Sequence, residues 1–334
     1  MRVNIFSYSD KGSNLAVILA SLFDDVRCYS THKSHDDITY VKSSISQVQL
    51  EFDNSDLMIF VGATGIAVRS IAPCVKNKTT DPACIVIDEC GNFVISLLSG
   101  HIGGANDYTH IIADKINAVP VITTATDVNN KFAVDSFAKK NNLAISDMKI
   151  AMQISSTILT ENVSIEFDDD IIMKNSIGNG LVIDGDNKLG IYVGYKKILP
   201  YKTTLNLIPN NLIVGIGCKR GTSSEQIEKL FLAVTKDIDI RAIQSVASID
   251  LKQNEYGLLS FCEKYNLHIN FYSAEELNQL EGDFSGSQFV KKITGVDNVC
   301  ERSAMIYGHK IIKKKTSAAG VTIAIALKQK EVKF

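Results

Sequence analysis

The sequence lacks the features that would mark a membrane, secreted or disulfide-stabilised protein. In its 334 residues no apolar run approaches the roughly 20 residues needed to cross a bilayer. The N-terminus begins like a β-strand and has no longer apolar core of the kind found in signal peptides. The seven cysteines form no C-x-x-C pair, which argues against a disulfide framework and a structural zinc site. We therefore expect a cytoplasmic protein that does not use a membrane.

The chain also lacks an excess of charge of either sign. Its 35 Lys and Arg residues and 37 Asp and Glu residues leave a formal net charge of −2. Because nothing in this balance would attract a polyanion, we expect no nucleic-acid partner.

Clusters with the spacing of metal ligands are missing as well. His32 and His35 have no third ligand nearby, and the acidic run at residues 168–170 is not followed by a Gly or Glu at calcium-loop spacing. We interpret that run as a solvated turn at the end of a strand. No bound metal is expected.

The alternation of apolar strand-like runs with helical periodicity predicts an α/β fold. The length suggests two or three domains. We place an N-terminal Rossmann-like α/β unit at residues 1–124, a smaller α+β unit at 125–208 and a C-terminal three-layer α/β unit at 209–334.

The stretch 61–107 has the character of a ligand site. Its first apolar run ends at Gly62, after which Thr64 and Gly65 begin a short helix that contains Arg69. Small and ionisable residues after apolar runs are typical of the carboxyl ends of strands in α/β proteins.

The second run of this stretch ends at Asp88 and Glu89, within a tight reversal. We predict that the strands on either side of the reversal form a hairpin at the sheet edge.

A glycine-rich turn follows the third run and contains His101, Gly103 and Gly104. The amides of the two glycines would face an anionic oxygen at the start of a helix over about 105–117. The alternative is that the glycines only form a loop.

A second glycine-rich, basic loop occurs at residues 215–221. Orphan amides at the following helix, together with Lys219 and Arg220, favour an anion. The loop lacks the spacing of a Walker loop or a G-x-G-x-x-G fingerprint, so a nucleotide is not indicated. Thr222 and Glu225 fit a capping box.

Two further predictions concern the C-terminal region. Ser273 and Glu276 form another capping-box pattern. Glu301 is either an acid/base residue or a charge on a helix surface, and the pattern slightly favours the surface.

Five motifs in this order resemble the cobalt-precorrin-5A hydrolase family (CbiG) of anaerobic cobalamin biosynthesis. The resemblance covers nearly the whole chain apart from a less distinctive first 50 residues or so. The motifs are residues 62–69 (GATGIAVR), 96–106 (SLLSGHIGGAN), 121–127 (VITTATD), 215–221 (GIGCKRG) and 247–252 (ASIDLK).

The resemblance implies that the chain opens the ring-A δ-lactone of a cobalt tetrapyrrole and releases acetaldehyde, giving cobalt-precorrin-5B. It implies no protein-bound cofactor, because the cobalt is part of the substrate. The C-terminal region also resembles a stand-alone protein of the aerobic cobalamin pathway. Whether the chain dimerises, or hands its product to other enzymes of the pathway, stays open.

For this chemistry we predict that His101 is the general base or acid, because its ordinary pKa lies near neutrality. Asp88 and Glu89 are the alternatives, and the resemblance supplies no established catalytic residue. Oxyanion or carboxylate binding is assigned to Gly62, Thr64, Gly65, Arg69, Gly103, Gly104, Asn106, Gly217, Lys219, Arg220 and Gly221. We expect the large, flat ligand to occupy a cleft between domains.

Three other functions are consistent with parts of the sequence. A non-catalytic corrinoid carrier would use the same anion-binding loops. A sugar-phosphate or nucleotide enzyme leaves the series of motifs unexplained. A Ser or Cys hydrolase is disfavoured because the sequence has no G-x-S-x-G elbow.

Overall fold

The computed structural model describes residues 1–33, 35–183 and 185–334. They form two compact units, Met1–Ser136 and Phe137–Phe334. Both units combine helices with parallel-rich sheets, which confirms the predicted α/β fold class. None of the described helices is long and apolar enough to span a bilayer.

The first unit is built on a seven-stranded sheet with helices on both faces. Its strands are β1 (Arg2–Ser7), β2 (Asp25–Ser30), β3 (Thr39–Tyr40), β4 (Leu57–Val61), β5 (Ala83–Ile87), β6 (Phe93–Leu98) and β7 (Val119–Val121). Its helices are α1 (Asp10–Ala20), α2 (Ser44–Glu51), a 3-10 turn (Phe52–Asn54), α3 (Thr64–Ile71), α4 (Ala105–Ile116), α5 (Ala125–Val128) and α6 (Val134–Lys140), which extends into the second unit.

Strand β4 shows why this sheet is covered on both faces. Leu57, Ile59 and Val61 pack into the core formed with α1 and α4, whereas Met58 and Phe60 pack into the core formed with α2 and α3. All five side chains are fully buried, as expected of a parallel strand between two layers of helices.

The strand order is β3-β2-β1-β4-β5-β6-β7, and β1 to β5 are parallel. The order reverses between β1 and β4, and in α/β sheets ligands bind at the carboxyl ends of the strands at such a switch point. The predicted hairpin is present as β5 and β6, which pair antiparallel. It does not lie at the sheet edge, because β7 pairs with the outer side of β6.

The second unit contains two five-stranded sheets and one two-stranded sheet. Its strands are β8 (Leu143–Ile145), β9 (Val163–Phe167), β10 (Ile171–Met173), β11 (Leu181–Ile183), β12 (Leu189–Val193), β13 (Thr203–Pro209), β14 (Leu212–Cys218), β15 (Ile243–Ile249), β16 (Ile269–Tyr272), β17 (Lys310–Ala318), β18 (Val321–Leu327) and β19 (Lys330–Val332). Its helices are α7 (Met148–Thr157), α8 (Ser224–Val234), two 3-10 turns (Ile240–Ala242 and Asp250–Lys252), α9 (Tyr256–Lys264), α10 (Ala274–Asn278), α11 (Gln288–Thr294) and α12 (Val299–Met305).

The five-stranded sheets have the orders β11-β9-β12-β13-β8 and β16-β15-β14-β18-β17, and β10 pairs with β19. In the second of these sheets one face packs against α8 and α9, and the other packs against α10 and α12. Strand β14 therefore lies at the centre of a three-layer arrangement.

Three local predictions from the sequence are wrong. Helix α8 is capped by Ser223 and Gln226, and not by the predicted pair Thr222 and Glu225. The other predicted capping box, Ser273 with Glu276, is confirmed. Asp168 is buried and paired with Lys196 at 2.8 Å, so it is not a solvated turn residue. Glu301 is also buried, and the surface interpretation of it is wrong.

Helix α12 crosses β14 so closely that it leaves no room for a side chain at Gly215. A Cβ there would lie 1.7 Å from the backbone oxygen of Cys300. Because a backbone atom of a packed helix cannot turn aside as a side chain can, we expect Gly215→Ala to destabilise the fold by about 3 kcal/mol. Urea unfolding should show this loss.

Gly221→Ala is the control variant. Gly221 has φ of 75° and no atom near its Cβ position, so only backbone strain of about 1 kcal/mol is expected. Equal losses would contradict the steric argument.

Candidate active site

The loop 99–104 connects β6 to α4 and contains His101. Ser99 has φ of 57° and Gly104 has φ of 92°, so the chain enters the left-handed region twice within this turn. A Cβ on Gly103 would lie 2.4 Å from the Cβ of Ser99. The sharp turn is sufficient to explain both glycines, and anion binding by their amides stays a prediction.

His101 lies between two carboxylates. Its Nε2 is 2.8 Å from Oδ2 of Asp127, and its Nδ1 is 3.3 Å from Oδ1 of Asp135. The Thr126 hydroxyl oxygen is 3.3 Å from the same Nε2. The side chains of His101 and Asp135 are 14% and 12% exposed, but that of Asp127 is 37% exposed. The cluster thus has an inner carboxylate and an outer one.

The two carboxylates change the protonation of His101. Burial lowers the pKa of the ring, but the hydrogen bonds and negative charges of Asp135 and Asp127 outweigh it and raise the pKa from 6.5 to about 9. Burial raises the pKa of Asp135, but its hydrogen bond and the charge of His101 bring that pKa below its ordinary value. At neutral pH the ring is therefore an imidazolium, which can donate a proton but cannot accept one.

Asn106 fixes the outer carboxylate from within the fold. Its Nδ2 donates to Asp127 Oδ2 at 3.1 Å and to Thr124 Oγ1 at 3.0 Å, and its Oδ1 accepts from Ser96 Oγ at 2.6 Å. Asn106 is buried. In this structure the residue that was predicted to bind substrate holds Asp127 in place.

The raised pKa of His101 predicts a dependence of stability on pH. A group whose pKa rises on folding stabilises the fold fully below its unfolded pKa, here 6.5, and this contribution is lost as the pH rises to the folded value of about 9. Allowing for partial screening by solvent, we expect about 2 kcal/mol. Urea unfolding should show that the unmodified chain exceeds His101→Gln in stability at pH ~6.5 and that the difference vanishes at pH ~9.5. A difference that stays constant over this range would contradict the raised pKa.

A separate cleft of about 370 Å³ lies at the carboxyl ends of β1, β4 and β5. This is the switch point of the sheet, where ligands of α/β proteins usually bind. The residues that line it are Tyr8, Ser9, Val61, Gly62, Ala63, Ile66, Asp88 and Glu89.

The two carboxylates at this cleft already have partners. Asp88 accepts backbone N–H bonds from Cys90, Asn92 and Phe93 at 2.9, 2.8 and 2.7 Å, which closes the turn of the hairpin. Glu89 accepts a hydrogen bond from Ser9 Oγ at 2.7 Å. Asp88 thus stabilises the turn.

Thr64, Gly65 and Arg69 are exposed on α3, beside this cleft. A Cβ on Gly65 would lie 3.4 Å from the Arg69 guanidinium, and a Cβ on Gly62 would lie 2.8 Å from the ring of Tyr8. Glycine at position 65 therefore leaves room for the guanidinium of Arg69, and glycine at position 62 leaves room for the ring of Tyr8. Their role in binding stays a prediction.

The structure does not bring His101 together with Asp88 and Glu89. Because β6 runs antiparallel to β5, Leu98 pairs with Cys84 at the start of β5, whereas Asp88 follows its end. The four residue steps from Cys84 to Asp88 span roughly 13 Å. His101 therefore lies near the amino end of β5, whereas Asp88 and Glu89 follow its carboxyl end. At this separation the two groups cannot act on the same atom.

In the second unit, the loop after β14 already binds a carboxylate of the chain itself. The amide of Gly221 donates to Glu255 Oε2 at 3.1 Å, and Lys252 Nζ lies 3.0 Å from Glu255 Oε1. Lys219 and Arg220 are exposed beside it. A Cβ on Gly217 would lie 2.6 Å from Thr322 Oγ1. This geometry suits carboxylates, but binding of a substrate here stays a prediction.

The sequence reasoning missed Asp127 and Asp135. A signal for Asp127 was present, since it follows β7 within the motif at 121–127. Because β6 and β7 are parallel neighbours, the residues that follow their carboxyl ends lie close together. Asp135 lies on α6, and no pattern of spacing links it to His101.

Comparison with known proteins finds two family models in this chain. The model described as "Cobalamin synthesis G N-terminal" matches residues 46–127, and the model described as "Cobalamin synthesis G C-terminus" matches residues 212–326. The two matches include the motifs around His101 and the glycine-rich loop of the second unit.

Among curated proteins, the chain is 32% identical to cobalt-precorrin-5A hydrolase of Salmonella typhimurium, over 97% of each chain. It is also 32% identical to cobalt-precorrin-5A hydrolase of Priestia megaterium, over 83% of this chain and 79% of the relative. A shorter match, 26% identical to Protein CobE of Sinorhizobium sp, covers 34% of this chain and 79% of that protein.

Proposed function

Because the chain belongs to the cobalt-precorrin-5A hydrolase family, we propose that it opens the ring-A δ-lactone of cobalt-precorrin-5A and releases acetaldehyde to give cobalt-precorrin-5B. The observation that supports this most strongly is 32% identity with a relative of that name over 97% of both chains. The cobalt enters as part of the substrate, and the proposed reaction uses no cofactor held by the protein.

The proposed reaction has two stages. Water first adds to the lactone carbonyl, and the ester C–O bond then breaks to leave a ring-A carboxylate and an alcohol on the meso carbon. In the second stage the alcohol loses its proton and the bond from the meso carbon to the macrocycle breaks. The electron pair of that bond passes to the cobalt macrocycle, and the meso carbon leaves with its methyl group as acetaldehyde.

His101 suits the transfer of protons in both stages. As an imidazolium with a pKa of about 9, it protonates the oxygen that leaves when the ester bond breaks. The neutral ring that results accepts the hydroxyl proton when the carbon–carbon bond breaks. Both ring nitrogens face carboxylates in the structure, so the leaving oxygen must share the Nε2 proton with Asp127 in order to take it.

The substrate carries many carboxylates, and the exposed cations and helix N-termini are proposed to bind them. Arg69 and the start of α3 serve this purpose in the first unit, and Lys219, Arg220 and the amide of Gly221 serve it in the second. In the second unit a substrate carboxylate would replace that of Glu255 at Gly221.

A single turnover in water enriched in heavy oxygen tests the hydrolytic step. We expect acetaldehyde release together with one heavy oxygen atom in the new ring-A carboxylate, because the attacking water supplies that atom. A product without the label would contradict attack of water on the lactone carbonyl. Tight binding of unchanged substrate would favour the corrinoid carrier instead.

A further inference from the structure

We propose that Asp127 is the general base of the lactone-opening step and that its outer oxygen, Oδ1, accepts a proton from the attacking water. This assignment rests on the proposed function and adds to it a residue in direct contact with the reacting water. The argument starts from the hydrogen bonds of the cluster around His101.

The two oxygens of Asp127 differ in their surroundings. Both described side-chain donors, Nε2 of His101 at 2.8 Å and Nδ2 of Asn106 at 3.1 Å, meet Oδ2. With 37% of the side chain exposed, Oδ1 is available to water. A carboxylate that is held by one oxygen and open at the other is oriented for proton abstraction.

The other candidate bases are less suitable. His101 is protonated at neutral pH. Asp135 is only 12% exposed, and its Oδ1 already accepts from the His101 ring and from the amide of Ser136 at 3.0 Å. Asp88 and Glu89 follow the carboxyl end of β5, whereas His101 lies near its amino end.

With Asp127 as the base, His101 can act as the acid in the same step. As the water oxygen bonds to the lactone carbon, one water proton passes to Asp127 Oδ1. When the ester bond breaks, the leaving oxygen takes a proton from the imidazolium. His101 regains a proton from the hydroxyl group in the second stage, and Asp127 returns its proton to solvent. Each group therefore ends the cycle in its starting state.

Chemical rescue tests this assignment. We expect Asp127→Ala and Asp127→Asn to slow single-turnover acetaldehyde release by about 10²- to 10³-fold, with substrate affinity, measured by absorption titration, changed only a few-fold. Formate should raise the rate of the alanine variant by about tenfold or more, because it supplies a carboxylate in the vacated space. The asparagine variant, which has no vacated space, should not respond.

Two controls separate catalysis from positioning. Asp135→Ala should not respond to formate, because its carboxylate is only 12% exposed and holds His101, and the exposed Asp114→Asn should retain the normal rate. Near-normal turnover by Asp127→Asn, or no response of a folded, substrate-binding Asp127→Ala to formate, would overturn the assignment. If the unmodified chain released no acetaldehyde, the proposed function itself would fail.

Discussion

Replacing His101 by alanine is expected to slow single-turnover acetaldehyde release by about 10²-fold or more. The substitution removes the proposed proton donor for the leaving oxygen. It also leaves Asp127 and Asp135 without the cation that lies between them at 2.8 and 3.3 Å. Rapid-quench measurement with a trap for acetaldehyde gives the rate of the chemical step.

His110→Ala is the matched control, because His110 is exposed on α4 and has no proposed role. It should retain the rate of the unmodified chain. Circular dichroism and an absorption titration with the substrate show whether the His101 variant still folds and binds. A folded, substrate-binding His101→Ala that turns over at a near-normal rate would remove His101 from the mechanism.

Replacing Glu301 by glutamine is expected to destabilise the second unit by about 3 to 5 kcal/mol, since two of the donors that bond to this buried carboxylate would lose their acceptor. Oε1 of Glu301 accepts from the amide of Lys315 at 2.7 Å and from Ser285 Oγ at 3.0 Å. Oε2 accepts from the amide of Ser285 and from Asn298 Nδ2, both at 2.7 Å. In either orientation, the NH₂ group of glutamine would face donors.

Urea unfolding of the whole chain measures this loss. Glu275→Gln, an exposed substitution at the start of α10, is the matched control and should change stability by less than about 0.5 kcal/mol. Equal stability of the two variants would contradict the view that both carboxylate oxygens of Glu301 are needed as acceptors.

Patterns of apolar residues predicted the fold well, because burial on one or both faces leaves a regular trace. The run at 57–61 became a central strand with all its side chains buried, and the hairpin after it formed as β5 and β6. The sequence pattern does not show whether a polar side chain on a helix is exposed or covered by another element. Glu301 has the spacing of a helix-surface charge, yet the segment around Ser285 and strand β17 cover it.

The candidate site was only partly predictable for a related reason. Because His101, Asp88 and Glu89 are close in sequence, we expected them to share one site. Their positions in space depend on the direction of β6, which runs antiparallel to β5 and places His101 near the amino end of β5. The partners of His101 come instead from after β7 and from α6, which lie more than 20 residues away in sequence. Composition and spacing do not encode such contacts.

Anaerobic incubation of the unmodified chain with cobalt-precorrin-5A tests the central claim most directly, with acetaldehyde and the mass of the macrocycle measured together. We predict one acetaldehyde for each macrocycle converted, and a mass change that equals the loss of acetaldehyde and the gain of water. A macrocycle of unchanged mass that stays tightly bound, with no acetaldehyde, would contradict the hydrolase and favour a carrier.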